Sequence, residues 1–563
     1  MGGRWSSTRG KVLAAVRIGV PGRWVTPGLV DEVLAEAGLA GGGCGQRFRA
    51  LPARLGVYFV LGLCLFSGLP YREVLRQLAG GLAGALRAAG WQVPASTALT
   101  GLRRRLGEKP FELLFWRLCG TLSPGTAPWS HICGLLALAW DGTTIKVPAS
   151  APNVACFGRR RGKKDGHYPL VRLVTLIACG TRALAGAAVG PVRGKGTGEQ
   201  ALARDLLGCL HAGMLLLADR NFYGYRLWTA AAGTGTDLLW RVKASLHLPV
   251  VTSLPDGSWL THINDPAALR RRTVRNGQRR RRGSTLPPDT GPLPGITVRV
   301  IEFWLTVAAD DGTVRTERYR LITTLADHRA YPAARLAAGY ARRWAIETGF
   351  TEFKTYLRGA GRILRGRAPD LARQELWAYL ALYQAIRAVT CLAAAGAGID
   401  PGRISFTATL HAIRRTLALA ITSPAAALAE TEASILAELI PKRHGRVCIR
   451  AVTQPSSPYP SKRNRKGPIA QHAECTLTIR HPDQVPPATL DQPKNPGTPE
   501  NQPPLSSWHC ARAATMPHRR CLPGSCPGAV AGLPWYAKAS VKAATRGALT
   551  RPDQGPLVHE SLI

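Results

Sequence analysis

Apolar residues recur at helical spacing through the first 130 residues, in LVDEVLAEAGLA, ALPARLGVYFVLGLCLF, YREVLRQLAGGLAGALRAAG, TALTGLRRRLG and PFELLFWRLCG. Gly, Pro or Ser interrupts each run, so an all-helical region over 1–130 is expected. From Leu135 the pattern changes. LLALAWDGTTIKV, YPLVRLVTLIACG and RALAGAAVGPV have the length and turn punctuation of paired strands. GEQALARDLLGCL returns to the helical period, GMLLLADRNF is an apolar strand, YGYRLWTAAAG is helical and LLWRVKA is a further strand. That succession matches a ribonuclease H-like core, a mixed sheet flanked by helices in which the first and fourth strands are neighbours. The expected class is α/β, with the first part of the core over 131–245.

Between Asp219 and Glu347 lie 127 residues, more than such a core needs. LPVVTSL and GITVRVIEFWLTVAADDGTVRTERYRLITTL read as a β-rich insertion over 246–330, with AADDGTV as a hairpin turn. The helical period resumes over 331–440 and completes the core. Beyond it, 441–563 is rich in Pro, Ser, Asn, Gln and Arg, so a mostly disordered tail is expected. The apolar run Val57 to Leu69 is shorter than the roughly 20 residues of a membrane span and ends at Pro70, so a buried helix is expected there. With no cleavable leader evident, an intracellular protein that does not engage membrane is expected.

Charge sharpens the picture. The formal net charge is +40, which favours a polyanionic partner, and double-stranded DNA is the simplest one. The 13 cysteines are scattered singly and suit a reducing compartment rather than a disulfide scaffold. His509, Cys510, His518, Cys521 and Cys526 form the one cluster with zinc-ligand chemistry, at a spacing that matches no common finger. Arg103, Arg104 and Arg105 lie together on one N-terminal helix, where an exposed cluster is expected, either a solvated charge run or a DNA-contacting surface. The run RRRTVRNGQRRRRG carries eight arginines from Arg270 to Arg282 without an acidic residue. It is expected to be a loop whose arginines, Arg270, Arg271, Arg272, Arg279 and Arg280 among them, contact phosphates beside the active site.

The candidate chemistry is carboxylate chemistry. Asp141 and Asp219 each end an apolar run, so the fold would bring both to one edge of the sheet, and Glu347 arrives on a later helix. Three carboxylates at a sheet edge suit Mg²⁺ or Mn²⁺, and a two-ion site of this kind supports in-line phosphoryl displacement without a general base or small-molecule cofactor. Tyr340, Arg343, Glu347 and Lys354 recur at helical intervals, which places them within an arc of about 60° on one helix face.

These four residues resemble the YREK signature of bacterial insertion-sequence transposases of the DDE class, in the family named after insertion sequence four. DGT at Asp141 to Thr143, ADRNFY at Ala218 to Tyr223 and RLITTL at Arg320 to Leu325 resemble the same family, and the likeness runs from about residue 25 to about residue 480. The resemblance implies that Asp141, Asp219 and Glu347 are the metal-binding catalytic triad. It implies that Tyr340, Arg343 and Lys354 hold transposon-end phosphates, and that a homodimer on paired ends carries out cut-and-paste transposition by hydrolysis and 3′-hydroxyl strand transfer into target DNA. Related enzymes pass through a DNA hairpin with a flipped base, for which Trp304 and Trp259 are the candidate stacking partners, a core position being the alternative for each. The alternative is a decayed copy that binds DNA without chemistry.

Overall fold

The computed structural model describes residues 12–13, 15–39, 51–123, 127–159, 168–282, 287–309, 314–440, 446–448 and 470–481. The N-terminal helices among the described residues include α1 (Pro27–Glu36), α2 (Ala53–Leu65), α3 (Tyr71–Ala79), α4 (Ala83–Ala88), α5 (Ser96–Leu106) and α6 (Lys109–Leu118). The Thr26 hydroxyl accepts a hydrogen bond from the Leu29 N–H and Pro27 follows, which fixes the start of α1. Every residue of α2 from Leu55 to Leu65 is buried, because its apolar residues run all round the helix.

The core follows in the expected order: β1 (Leu135–Lys146), α7 (Ala151–Phe157), β2 (Leu170–Ala178), β3 (Leu184–Pro191), α8 (Glu199–Arg204), β4 (Met214–Ala218), α9 (Tyr225–Ala232) and β5 (Asp237–Arg241). β1, β2 and β3 are antiparallel neighbours, β4 lies parallel to β1 on its other side, and β5 lies parallel to β4. This mixed sheet with flanking helices fits a ribonuclease H-like core. The sheet continues through the inserted strands β6 (Trp259–Asn264), β7 (Gly295–Ala309) and β8 (Val314–Thr323). β8 pairs antiparallel with β5, β7 with β8, and β6 with the first part of β7.

Helical segments α11 (Ala333–Tyr340), α12 (Trp344–Thr351) and α13 (Pro369–Gly396) come later, with α10 (Pro266–Arg281) inside the insertion. α13 is long and apolar enough to cross a membrane, and 83% of its apolar window is buried inside the fold. One apolar cluster joins α2, α6, one face of the sheet and α13, while Trp140, Trp228 and Trp240 fill a second on the opposite face. Strand residues alternate between the two clusters, as Ala137, Ala139 and Leu138, Trp140 do on β1.

Within the tail, β9 (Ala470–Ile479) pairs antiparallel with β7 over Ala309 to Phe303, taking the edge that β6 leaves open. Two expectations are corrected here. The arginine run forms the helix α10 rather than a loop, started by Asp265, whose Oδ1 accepts from the Ala267 N–H, with Pro266 in the first turn. Arg103 is buried, hydrogen-bonded to Gln374, Tyr71 and the Leu371 carbonyl and 3.5 Å from Glu375, so it pins α5 to α13. Arg104 and Arg105 are exposed. The zinc-type cluster from His509 to Cys526 lies outside the described residues.

Candidate active site

The sheet register sets the site. β1 pairs with β4 only as far as Ala139 opposite Leu217, while its pairing with β2 continues to Lys146. Asp141 therefore lies mid-strand rather than at a strand end, at the point where one neighbour has stopped. Asp219 follows β4 directly, two places past Leu217 as Asp141 is two places past Ala139, so the two aspartates sit on adjacent strands at matching height.

The helical stretch from α11 to α12 covers this edge, and its pitch changes along the way. α11 ends at Tyr340, Ala341–Arg343 is a 3₁₀ turn, α12 runs to Thr351, and Glu352–Leu357 is a π turn. The Tyr340 side chain is buried and its hydroxyl donates to the Ala218 carbonyl at 3.0 Å, tying α11 to the residue before Asp219. Arg343 is buried and its Nη2 lies 3.1 Å from Glu347 Oε1. Lys354 Nζ donates to Thr143 Oγ1 at 2.9 Å, two residues past Asp141. In this arrangement the Tyr340 hydroxyl and the Arg343 guanidinium both lie inside the protein, with one Arg343 nitrogen turned to Glu347.

Electrostatics single out Asp141. Burial pushes its carboxyl up to about 7, against the pull of Arg343 and the Gly142 N–H, and the charges of Glu347 and Glu199 push the same way as burial. The Arg343 guanidinium is where the charges meet: burial opposes its cation, yet Tyr340, Glu347, Asp219 and Asp141 together hold its proton more tightly than usual. Burial and Arg358 lower the Lys354 ammonium, with Asp141 opposing them.

Sequence reasoning missed Glu199 and Arg172. A Cβ on Gly142 would stand 2.5 Å from the Glu199 side chain, so the glycine of DGT makes room for that carboxylate, which also pairs with Arg172 at 3.2 Å. The GEQ that opens α8 was the available signal. Trp259 is buried in the second apolar cluster and has no free face for a flipped base, while Trp304 is half-buried on β7.

The donor set suits a hard divalent cation in chemistry: the oxygens are carboxylate oxygens, and an ion beside Asp141 would hold ionised a group that burial drives toward protonation. It is not closed around one point. Among the described residues no three His, Cys, Asp or Glu side chains lie close enough together to hold an ion, and Arg343 serves as the local cation.

Comparison with known proteins gives a consistent family. The insertion element 4 transposase N-terminal model matches residues 16–116, and the transposase DDE domain model matches residues 133–384. The chain is 26% identical over 400 residues to the transposase InsG for insertion sequence element IS4 of Escherichia coli (strain K12), covering 70% of this chain and 82% of the relative. A cryo-EM structure of a piggyBac transposase synaptic complex with hairpin DNA aligns at a TM-score of 0.36 and 10% identity, covering 73% of this chain and 80% of that one. At that score it lends no support to fold or function.

Proposed function

We propose, from the premise that the chain belongs to the insertion element 4 family of DDE transposases, that Asp141, Asp219 and Glu347 are its catalytic carboxylates. The chain is a transposase, an enzyme of DNA cleavage and strand transfer, and the non-catalytic alternative is not favoured. The observation that supports the residue assignment is the placement of Asp141 and Asp219 at matching height, each two residues past the last pairing of two adjacent strands, with Arg343 and Glu347 near them.

The DDE domain generally uses divalent metal ions. Two ions, Mg²⁺ or Mn²⁺, held by the three carboxylates would supply a deprotonated attacking oxygen and a neutralised leaving oxygen. The remaining work belongs to the protein. Arg343 orients Glu347 and balances the clustered negative charge until cations and DNA arrive. Tyr340 holds the helix over the end of β4, which keeps Asp219 in place. Lys354, anchored on Thr143, presents an ammonium beside Asp141 and is the residue of the signature best placed to hold a scissile-strand phosphate.

The substrates are duplex DNA at the transposon ends and in the target. The N-terminal helices, with Arg104 and Arg105 exposed, supply end binding, the arginines Arg270, Arg271, Arg272, Arg279 and Arg280 supply phosphate contacts, and two copies act on paired ends. Glu347→Gln keeps the side chain's shape and removes its charge. It is expected to abolish nicking of a labelled terminal-repeat duplex while gel-shift binding persists. Nicking at the wild-type rate would remove Glu347 from the catalytic set.

A further inference from the structure

Among the described helices of ten or more residues, α10 is held differently from the rest. Of its 16 residues only Ala268 is buried, so it lacks the apolar stripe that normally holds a surface helix. Arg271, Arg275 and Arg279 follow one another at intervals of four, and each like-charged pair at that spacing destabilises a helix. One side is tied down. Arg272 donates to the Gly291 carbonyl, Asn276 bonds both the carbonyl and the N–H of Asp289, and Arg275 pairs with the Asp289 carboxylate at 3.2 Å. Arg270, Arg271, Arg279, Arg280, Arg281 and Arg282 are exposed, and their side chains form no hydrogen bond or ion pair with any described residue.

We propose that α10 is a sequence-independent phosphate clamp for duplex DNA, standing apart from the carboxylate site; the proposal rests on the DNA-acting reading above. Arg270 and Arg281 are 11 residues apart, as are Arg271 and Arg282, which brings each pair back to nearly the same side of the helix about 16 Å along its axis. A duplex presents one negative charge per roughly 1.7 Å of axis, so that span meets several phosphates. Of the two side-chain amides of α10, Asn276 is consumed by Asp289, which leaves adenine-type bidentate readout to Gln278.

The sheet register places the helix away from the catalytic edge, correcting the expectation that the arginine run lies beside it. Ala218, Trp240, Ile322, Val300 and Trp259 lie in one row across the sheet. β6 leaves that row at Trp259 and runs antiparallel to β7, opposite in direction to β4, so Asn264 lies about 16 Å on the far side of the row from Asp219. α10 starts there. Its phosphates are therefore remote from the scissile one where the helix begins, and DNA bound there belongs to the flank of an end or to target.

The test uses the full-length protein and fluorescence anisotropy over a salt series, with a terminal-repeat duplex and a scrambled duplex of equal length. The variant carries Arg270→Gln, Arg271→Gln, Arg281→Gln and Arg282→Gln. A control removes the same charge from the exposed Arg204, Arg226, Arg329 and Arg415. The clamp variant is expected to flatten the plot of log affinity against log salt by up to about 3.6, at roughly 0.9 for each phosphate no longer neutralised, on both duplexes alike. The control is expected to change the slope far less. An unchanged slope, an equal change in the control, or a change confined to the terminal repeat would each overturn the proposal. Wild-type nicking of the terminal repeat is read in parallel. Failure there with the slope effect intact overturns the transposase reading and leaves the clamp standing.

Discussion

Burial pushes the Asp141 carboxyl up to about 7, well above an ordinary aspartate, with Glu347 and Glu199 adding to it and Arg343 opposing. The folded protein therefore binds a proton that the unfolded chain has released, and stability falls as pH rises between roughly 4 and 7. With chelator present, Asp141→Asn should remove that loss and raise stability at pH 8 by about 2 kcal/mol, a figure reduced for the partial exposure of the group. Thermal unfolding at pH 5 and pH 8 measures it, and equal pH dependence in both proteins would show that Asp141 is not desolvated. At this scale the sequence was informative about the carboxylates, because an aspartate closing an apolar run and a glutamate on a helical stripe are unusual. It was uninformative about Tyr340, Arg343 and Arg103, whose long amphipathic side chains serve equally well in a core or on a surface; only the tertiary partners decide.

The helical segment carrying Glu347 shows what periodicity resolves and what it does not. Recurrence at three, four and seven residues is visible in a sequence, whereas the change from a 3₁₀ turn through α12 to a π turn is imposed by what the side chains meet. Glu352 opens the π turn inside the core, 3.1 Å from Arg182, 3.8 Å from Arg387 and 2.9 Å from the Tyr383 hydroxyl, which donates to it. Glu352→Ala leaves two buried arginines without their carboxylate and should cost about 3–5 kcal/mol in denaturant unfolding. A loss below about 1 kcal/mol, the range of an exposed ion pair, would mean the network is not dry. β9 was legible in principle, since Cys475, Leu477 and Ile479 alternate with polar residues, but the surrounding Pro-rich and Arg-rich composition outweighed that short signal. A chain ending after Ile440 exposes the β7 edge and strips Arg480 from the buried Glu302, so it should unfold at lower temperature and aggregate more than a chain ending after His481. Equal melting of the two chains would contradict a structural role for β9.

For the whole molecule, the sequence showed the layer order and the strand succession because each core element keeps its own hydrophobic period. It did not show that the insertion prolongs the catalytic sheet, since pairing of β8 with β5 is a long-range event with no local sign. A net charge of +40 on such a body predicts that DNA affinity falls at least about a thousandfold between 50 and 200 mM salt, as six or more phosphate contacts require. An affinity nearly constant over that range would argue that the charge is merely solvated. The central claim, that the aspartates gathered at the end of β4 and the glutamate facing them cleave DNA, is tested most directly by incubating a labelled terminal-repeat duplex with the wild type and with Asp141→Ala, each in Mg²⁺ and in EDTA. The account predicts nicking at the repeat boundary only by the wild type with Mg²⁺. Nicking by Asp141→Ala at the wild-type rate, or tight binding without nicking by the wild type, would contradict it.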